Sequence, residues 1–167
     1  MPESSLIRST LPPITADHNL DVSADTGTVR RLLIVDNDPA DVFLARQALQ
    51  TSGARLQIDD VCDGIEAMRY LRQSGPYADC LRPHFVLLDL NMPRCNGFET
   101  LAAIRQDDGL RSLPVIVLTT STHQTDINRA WDLQASCCLS KQLELDAFTR
   151  QLHHVVDFWC RTVCYPG

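Results

Sequence analysis

The strongest constraint on the fold is a regular alternation of short apolar runs and amphipathic segments, which begins near Arg31. The apolar runs, such as RLLIV and HFVLLDL, are too short and too continuously apolar for surface helices. Such runs are typical of strands that are buried on both faces. The segments between them have helical spacing. This alternation therefore predicts a parallel sheet with helices on both sides.

The pattern contains five strand and five helix segments. We predict strands at residues 31–35, 55–62, 84–90, 113–120 and 137–140, and a loop at 75–83. We predict helices from Pro39 to Ser52-Gly53, at 64–74, at 98–106, at 122–133 and from 144 to about 160. Five strands in this order suit a flavodoxin-like, doubly wound α/β fold with strand order 2-1-3-4-5. Sites in such folds lie at the carboxyl ends of the strands.

Length and composition fit one such domain. The chain has 167 residues and 44% hydrophobic composition, and we place the domain at 30–160, after a flexible arm at 1–29 and before a tail at 161–167. A net charge of -6 argues against a nucleic-acid partner. No apolar run is long enough to span a membrane and no secretory leader is visible, so we expect a cytoplasmic protein without a membrane partner.

Polar side chains stand at the ends of four of the predicted strands. Asp36 follows the first strand, Asp89 and Thr119 lie near the ends of the third and fourth, and Lys141 follows the fifth. Carboxylates are ligands for Mg²⁺, and a carboxylate can itself accept a phosphoryl group. Lysine and hydroxyl groups bind phosphoryl oxygens. Asp38, before Pro39, is more simply the cap of the first helix.

The set of motifs D-N-D, LLDLNMPRCNG, PVIVLTT and LSK resembles the receiver domain of bacterial two-component response regulators, over about residues 30–160. The resemblance implies a CheY-like fold with Mg²⁺ as cofactor. By position, it makes Asp89 the phosphoacceptor, Thr119 the switch hydroxyl and Lys141 the lysine that contacts the phosphoryl group. Asp36 matches the first acidic metal ligand, and Asn91 the residue whose backbone carbonyl binds the metal.

The family's chemistry implies phosphotransfer from a histidine kinase to Asp89, followed by slow hydrolysis that the receiver itself catalyses. On that basis the protein is a signalling protein and not a conventional enzyme.

Three positions depart from the family pattern. Asn37 replaces the second acid of the metal site, which weakens the expected hold on Mg²⁺ while easing the approach of an anionic phosphodonor. Cys138 replaces the aromatic switch residue. Gln142 replaces the proline after Lys141, so we predict a trans peptide bond there and a shifted loop, because a cis bond before a non-proline residue costs several kcal/mol.

The first helix and the C-terminal DFWCRTVCYPG also resemble the stand-alone response regulators of bacterial phytochrome kinases. This implies a phytochrome-type histidine kinase as partner and no DNA-binding output domain. In the last helix we expect one core face, made of Leu145, Phe148, Leu152, Val155 and Trp159. Phe158 and Val163 fall outside that face, so we predict that they and the helix 4/5 region form a symmetric homodimer.

Two alternative functions stay open. A pseudo-receiver would keep the fold as an interaction module without efficient phosphorylation, and Asn37, Cys138 and Gln142 favour it. A phosphatase of the haloacid dehalogenase type would use Asp36 as nucleophile and Asp38 as general acid. That reading leaves LLDLNMP unexplained, and the Pro39-Ala40 helix start fits it poorly.

Overall fold

The computed structural model describes residues 28–92, 96–121 and 123–165. The strands are β1 (Arg30–Val35), β2 (Leu56–Val61), β3 (Phe85–Asp89), β4 (Val115–Thr119) and β5 (Cys137–Ser140). The helices are α1 (Pro39–Gln50), α2 (Gly64–Leu71), α3 (Gly97–Gln106), α4 (Gln124–Asp132) and α5 (Leu145–Val156). Of the predicted arm, only residues 28 and 29 belong to the described residues.

The five strands form one parallel sheet in the order β2-β1-β3-β4-β5. The predicted flavodoxin-like order is therefore confirmed. β3 lies in the middle of the sheet, between β1 and β4. Because all strands point the same way, their carboxyl ends meet at one edge of the sheet.

Alternate residues of the inner strands face two separate apolar layers. On β1, Leu33 and Val35 face the layer under α2, α3 and α4, whereas Leu32 and Ile34 face the layer under α1 and α5. Every residue of β3 and β4 is buried. This arrangement explains the continuous apolar runs of the sequence, since each strand must present apolar side chains to both layers.

Side-chain caps begin the three helices that follow the first strands. The Asp38 carboxylate accepts a hydrogen bond from the Ala40 N–H at 2.8 Å, which confirms its prediction as a helix cap. Asp63 caps α2. Asn96 and Glu99 form a reciprocal capping box at the start of α3.

Some boundaries differ from the predictions. α2 ends at Leu71 and not at Ser74, because Gln73 adopts a left-handed conformation (φ 52°) and the Ser74 N–H bonds back to the Arg69 carbonyl. The predicted loop after α2 contains a short 3₁₀ turn, Gly75–Tyr77. α4 begins at Gln124, two residues after its predicted start.

The predicted core face of the last helix is wrong at one end. Phe148, Leu152 and Val155 are buried, but Leu145 is 54% exposed. Leu145 is the first residue of α5, and it lines a groove beside Leu44 of α1 instead of facing the sheet. The buried face includes Val156, which the predicted row omitted.

After α5 the chain continues as a π-helical segment, Asp157–Thr162, and this C-terminal region contacts the first residues of β1 and β3. The Trp159 ring stacks on Phe85 of β3, with 6.4 Å between ring centroids. The Tyr165 hydroxyl donates a hydrogen bond to the Trp159 carbonyl. The Arg30 guanidinium lies over the Tyr165 ring, 4.8 Å from its centroid, and the His84 ring meets it edge-on. Within the described ranges, no helix is both long and apolar enough to cross a membrane.

Candidate functional site

The four strand-end residues predicted from the sequence meet at the carboxyl edge of the sheet. Asp36, Asp89 and Thr119 are each at least 90% buried. The Lys141 side chain, also largely buried, reaches across this edge after β5. Its ammonium nitrogen lies 2.8 Å from Asp36 Oδ2 and 3.4 Å from Asp89 Oδ1. Parallel pairing of β1, β3, β4 and β5 explains why distant parts of the chain converge here.

A third carboxylate, which the sequence did not identify as a site residue, also contacts the lysine. Asp41 Oδ2 accepts a hydrogen bond from Lys141 Nζ at 2.7 Å. Asp41 is the third residue of α1, and side chains at a helix start lean toward its amino end, which here abuts the strand ends. The signal that could have found it is an acid in the first turn of the helix that follows the first strand.

Asp36 is held by both of its carboxylate oxygens. Oδ1 accepts a hydrogen bond from the Asp38 N–H at 2.9 Å, and Oδ2 accepts one from Lys141. The Asp38 side chain caps α1 and is exposed. The Asp38 backbone N–H therefore bonds to Asp36, and the Asp38 carboxylate caps α1. A carboxylate engaged as a helix cap is poorly placed to act as a general acid.

Asp89 carries the least satisfied carboxylate at this edge. Its Oδ1 atom is buried and has no hydrogen-bond partner among the described residues, since Lys141 stands off at ion-pair distance. Burial raises the pKa of Asp89 above its usual value, the charge of Lys141 acts to lower it, and the charge of Asp36 raises it again. A buried carboxylate that accepts a cation or an electrophile would have this character.

The Lys141 ammonium is held firmly in its charged form. Burial acts to lower the pKa of Lys141, but hydrogen bonds to Asp36 and Asp41 and the charge of Asp89 outweigh burial, so the pKa lies above its usual range. A permanently charged ammonium in a nearly dry location is suited to binding the oxygens of a phosphoryl group.

The Thr119 hydroxyl is oriented by the loop that follows β4. Thr119 Oγ1 accepts a hydrogen bond from the Ser121 N–H at 3.0 Å, which leaves its own proton available to donate. The Ser121 hydroxyl in turn donates to Asp126 Oδ2 of α4 at 2.6 Å. The orientation of Thr119 is thereby linked to the first turn of α4.

The two asparagines predicted for the metal site lie at its exposed mouth. Asn37 follows Asp36 directly, and Asn91 lies two residues after Asp89. The Asn91 side-chain amide donates to Thr120 Oγ1 at 3.0 Å. This bond connects the loop after β3 with the loop after β4.

Gly97, the first residue of α3, lies directly against the backbone of Asp89. A Cβ atom at this position would stand 2.3 Å from the Asp89 carbonyl oxygen and 2.5 Å from Leu90 Cα. The Gly97 N–H also donates to the Leu90 carbonyl at 3.2 Å. The glycine of the DLNMPxxxG pattern thus permits α3 to start in contact with the strand that carries Asp89.

The donors at this edge fit a hard divalent cation. Asp36 and Asp89 place buried carboxylates here, and the family pattern predicts that the Asn91 backbone carbonyl and Asn37 would add further oxygens. An orphaned buried oxygen of Asp89 is free to accept a cation. Mg²⁺ uses one or two carboxylates and keeps several waters. Across the described ranges, no group of three or more His, Cys, Asp or Glu side chains is arranged for a metal.

The other departures from the family pattern lie near β5. Cys138 is half-buried and packs against the α2–α4 layer, and burial raises the pKa of its thiol. The peptide bond between Lys141 and Gln142 is trans, as predicted. Gln142 is exposed, and its amide donates to the Ser140 carbonyl at 3.3 Å.

Comparison with known proteins agrees with this geometry. A family model described as response regulator receiver domain matches residues 32–153. The response regulator Rcp1 of Synechocystis sp. is 34% identical over 146 residues, which are 87% of this chain and 99% of Rcp1.

Two solved structures resemble the chain along most of its length. The phosphorylated cyanobacterial phytochrome response regulator RcpA superposes with a TM-score of 0.80 and 37% identity, covering 84% of this chain and all of RcpA. The Mn²⁺-bound form of Rcp1 gives a TM-score of 0.78 and 36% identity, covering 83% of this chain and 99% of Rcp1. Sequence, fold and site therefore agree, and the chain belongs to the family of response regulator receiver domains.

Proposed function

We propose that the protein is a phosphorylation-dependent response regulator in which Asp89 accepts a phosphoryl group from a histidine kinase. The observation that carries this proposal is the Asp89 carboxylate. It is buried at the end of the central strand, one of its oxygens lacks a hydrogen-bond partner among the described residues, and a charged lysine lies 3.4 Å away.

In the proposed transfer, a carboxylate oxygen of Asp89 attacks the phosphorus of a phosphohistidine. An O–P bond forms while the P–N bond breaks, and the electron pair leaves on the histidine nitrogen, which takes up a proton. The Lys141 ammonium and the Thr119 hydroxyl would donate to phosphoryl oxygens. Hydrolysis of the acyl phosphate by water later restores the carboxylate, so the protein is a phosphoacceptor that catalyses its own transfer and dephosphorylation.

A divalent cation, which we take to be Mg²⁺, would be held by Asp36, Asp89, the Asn91 carbonyl and Asn37. When bound, it neutralises charge that develops on the phosphoryl oxygens. The solved Mn²⁺-bound form of Rcp1 supports divalent cation binding in a close relative. Because Asn37 is neutral, we expect weaker binding than an aspartate there would give.

Intact-mass measurement after incubation with acetyl phosphate and Mg²⁺ tests the proposal. We expect a phosphate-sized mass gain in the wild type and none in Asp89→Asn. Asp38→Asn, which changes the charge equally and keeps a helix-capping side chain, is the matched control and should gain the mass normally. Equal absence of a gain in wild type and Asp89→Asn, also with a cognate kinase, would favour the pseudo-receiver. Turnover of a phosphomonoester that Asp36→Asn but not Asp89→Asn abolishes would favour the phosphatase.

We further propose that the partner kinase is of the phytochrome type. RcpA is described as a cyanobacterial phytochrome response regulator, and the similarity to it spans nearly the whole described domain. Phosphotransfer from a purified phytochrome kinase should exceed that from an unrelated histidine kinase at equal concentration. Equal rates from both would contradict this part of the proposal. The net charge of -6 favours a protein partner over a nucleic-acid or membrane partner. We also propose that the protein acts in the cytoplasm.

A symmetric homodimer through the helix 4/5 region and the C-terminal extension is the remaining part of the proposal. Phe158 is 52% exposed and packs edge-on to Trp159, and Val163 is half-buried. Trp131 of α4 and Leu143, before α5, are also exposed. Light scattering should show a concentration-dependent dimer that Phe158→Ser weakens. Phe43→Ser, at an exposed phenylalanine of α1, is the matched control. Monomer at all concentrations, with and without phosphorylation, would contradict it.

A further inference from the structure

The Lys141 ammonium is surrounded by three carboxylates at unequal distances. Nζ lies 2.7 Å from Asp41 Oδ2, 2.8 Å from Asp36 Oδ2 and 3.4 Å from Asp89 Oδ1. An ammonium has three protons to donate. Two of its hydrogen bonds go to Asp36 and Asp41, and the weakest contact is the one with Asp89.

The two carboxylates that bind Lys141 differ in how easily they could release it. Asp36 is 8% exposed, and its second oxygen is fixed by the Asp38 N–H. Asp41 has 37% of its side chain exposed, so water can replace the lysine as its hydrogen-bond partner. Release from Asp41 therefore leaves no buried charge unpaired, whereas release from Asp36 does.

We propose that Asp41 is a positioning residue that holds Lys141 away from Asp89 before phosphorylation and gives up the ammonium when a phosphoryl group is bound. This inference rests on the proposed function of Asp89. A phosphoryl group on Asp89 brings new oxygen acceptors to the side where the lysine contact is longest. To donate to these oxygens, Lys141 Nζ must move toward Asp89. The contact that breaks is the one with Asp41, because water can replace the lysine there.

Asp41 also changes how the missing acid at position 37 is to be understood. Asn37 removes a carboxylate from the exposed mouth of the site. Asp41, in the first turn of α1, places a carboxylate on the lysine side of the same edge. The carboxylate of Asp41 thus contacts Lys141 and does not lie at the exposed mouth of the site. In that position it competes with the phosphoryl group for the Lys141 ammonium.

The binding of beryllofluoride, a phosphoryl analogue, measured with Mg²⁺ by ¹⁹F NMR titration, tests this competition. Asp41→Asn should bind the analogue about fivefold more tightly, because the competing anion is gone. Asp41→Glu, which restores the carboxylate, should return toward the wild-type affinity. Asp38→Asn, with the same charge change in the same helix start but no contact with Lys141, should equal the wild type.

A double-mutant cycle shows whether Asp41 acts through the lysine. In a Lys141→Met background, Asp41→Asn should have no further effect, because the competition requires the ammonium. An effect of equal size in both backgrounds would mean general charge repulsion and would overturn the inference. Unchanged or weaker binding in Asp41→Asn alone would also overturn it.

The same titration separates this inference from the function on which it rests. Saturable binding in the wild type that Asp89→Asn abolishes supports the proposed function, whatever Asp41 does. If the wild type binds no analogue, the proposed function and this inference both fail. Unfolding in urea, monitored for every variant, confirms that affinities are compared between folded proteins; because Asp41 is half-exposed, we expect Asp41→Asn and Asp41→Glu to fold.

Discussion

Lys141 and Asp89 form an ion pair that stops short of a hydrogen bond, with 3.4 Å between Nζ and Oδ1. The lysine is bound more closely by Asp36, at 2.8 Å. The structure therefore shows the lysine directed mainly at the other carboxylates, and the Asp89 oxygen is left free for an incoming group.

Replacing Lys141 by Met should destabilise the fold. The substitution keeps most of the apolar volume but leaves the buried carboxylate of Asp36 without its cation. We expect a loss of about 2–4 kcal/mol in the free energy of unfolding, measured by urea titration. Arg111→Met removes a cation whose side chain is 68% exposed, beside Asp108, and should change stability by less than about 0.5 kcal/mol. Similar losses of unfolding free energy in Lys141→Met and Arg111→Met would contradict the stabilising role of the buried Lys141–Asp36 pair.

Asp89 should make the protein less stable as the pH rises. Because its pKa in the folded state lies above the usual 3.8, the folded protein binds more protons than the unfolded chain between that value and the folded-state pKa. Stability then falls with increasing pH across this window. Asp89→Asn cannot titrate, so without divalent cations its stability relative to the wild type should grow across the window and stay constant above it.

The matched control for this pH dependence is Asp108→Asn, since the Asp108 side chain is 96% exposed. In urea unfolding at a series of pH values from about 4 to 8, the stability difference between Asp108→Asn and the wild type should hardly vary with pH. If the stability of Asp89→Asn relative to the wild type instead decreases as the pH rises, the pKa of Asp89 in the folded state is not raised.

Asn37→Asp should strengthen binding of the cation. A second carboxylate at the exposed mouth adds a negative charge beside Asp36, and we expect roughly tenfold tighter Mg²⁺ binding, which corresponds to about 1.4 kcal/mol. Titration of the unfolding midpoint with Mg²⁺ measures the change, because a ligand of the folded state raises stability with concentration. Asn128→Asp, on exposed α4, makes the same charge change away from the site and should leave Mg²⁺ affinity as it is.

Gly97→Ala should damage both stability and the site. The new Cβ would stand 2.3 Å from the Asp89 carbonyl oxygen, so either α3 or β3 must shift. We expect a loss of about 1–3 kcal/mol in urea unfolding, as for other overpacked positions, together with weaker binding of beryllofluoride. Gly109→Ala is the control, since its Cβ would meet its nearest atom, on a side chain, at 3.4 Å. A fully stable Gly97→Ala protein would contradict this contact.

The architecture and the convergence of four polar residues at one edge of the sheet were predictable because both depend on features that the sequence displays directly. Continuous apolar runs indicate strands buried on two faces, and parallel strands bring the residues that follow them to one edge. Asp36, Asp89, Thr119 and Lys141 met there for that reason alone.

The remaining features depend on three-dimensional distances that no pattern encodes. Asp41 looked like an ordinary acid at a helix start, and only the position of the Lys141 side chain shows that it contacts the site. Leu145 fitted the apolar period of α5, but the helix begins beyond the sheet, so its first residue has no core to face. The early end of α2 follows from the left-handed backbone at Gln73, a residue type that gives little warning of it.

The packing of the C-terminal segment has a practical consequence. The chain has two tryptophans: Trp159 stacks on Phe85 at the start of β3, whereas Trp131 of α4 is 53% exposed. Intrinsic fluorescence therefore combines a shielded signal from one end of the sheet with a quencher-accessible signal from a helix linked to Thr119 through Ser121 and Asp126. Iodide quenching separates the two signals. The quenchable fluorescence of Trp131 therefore reports movement of α4 without an added label.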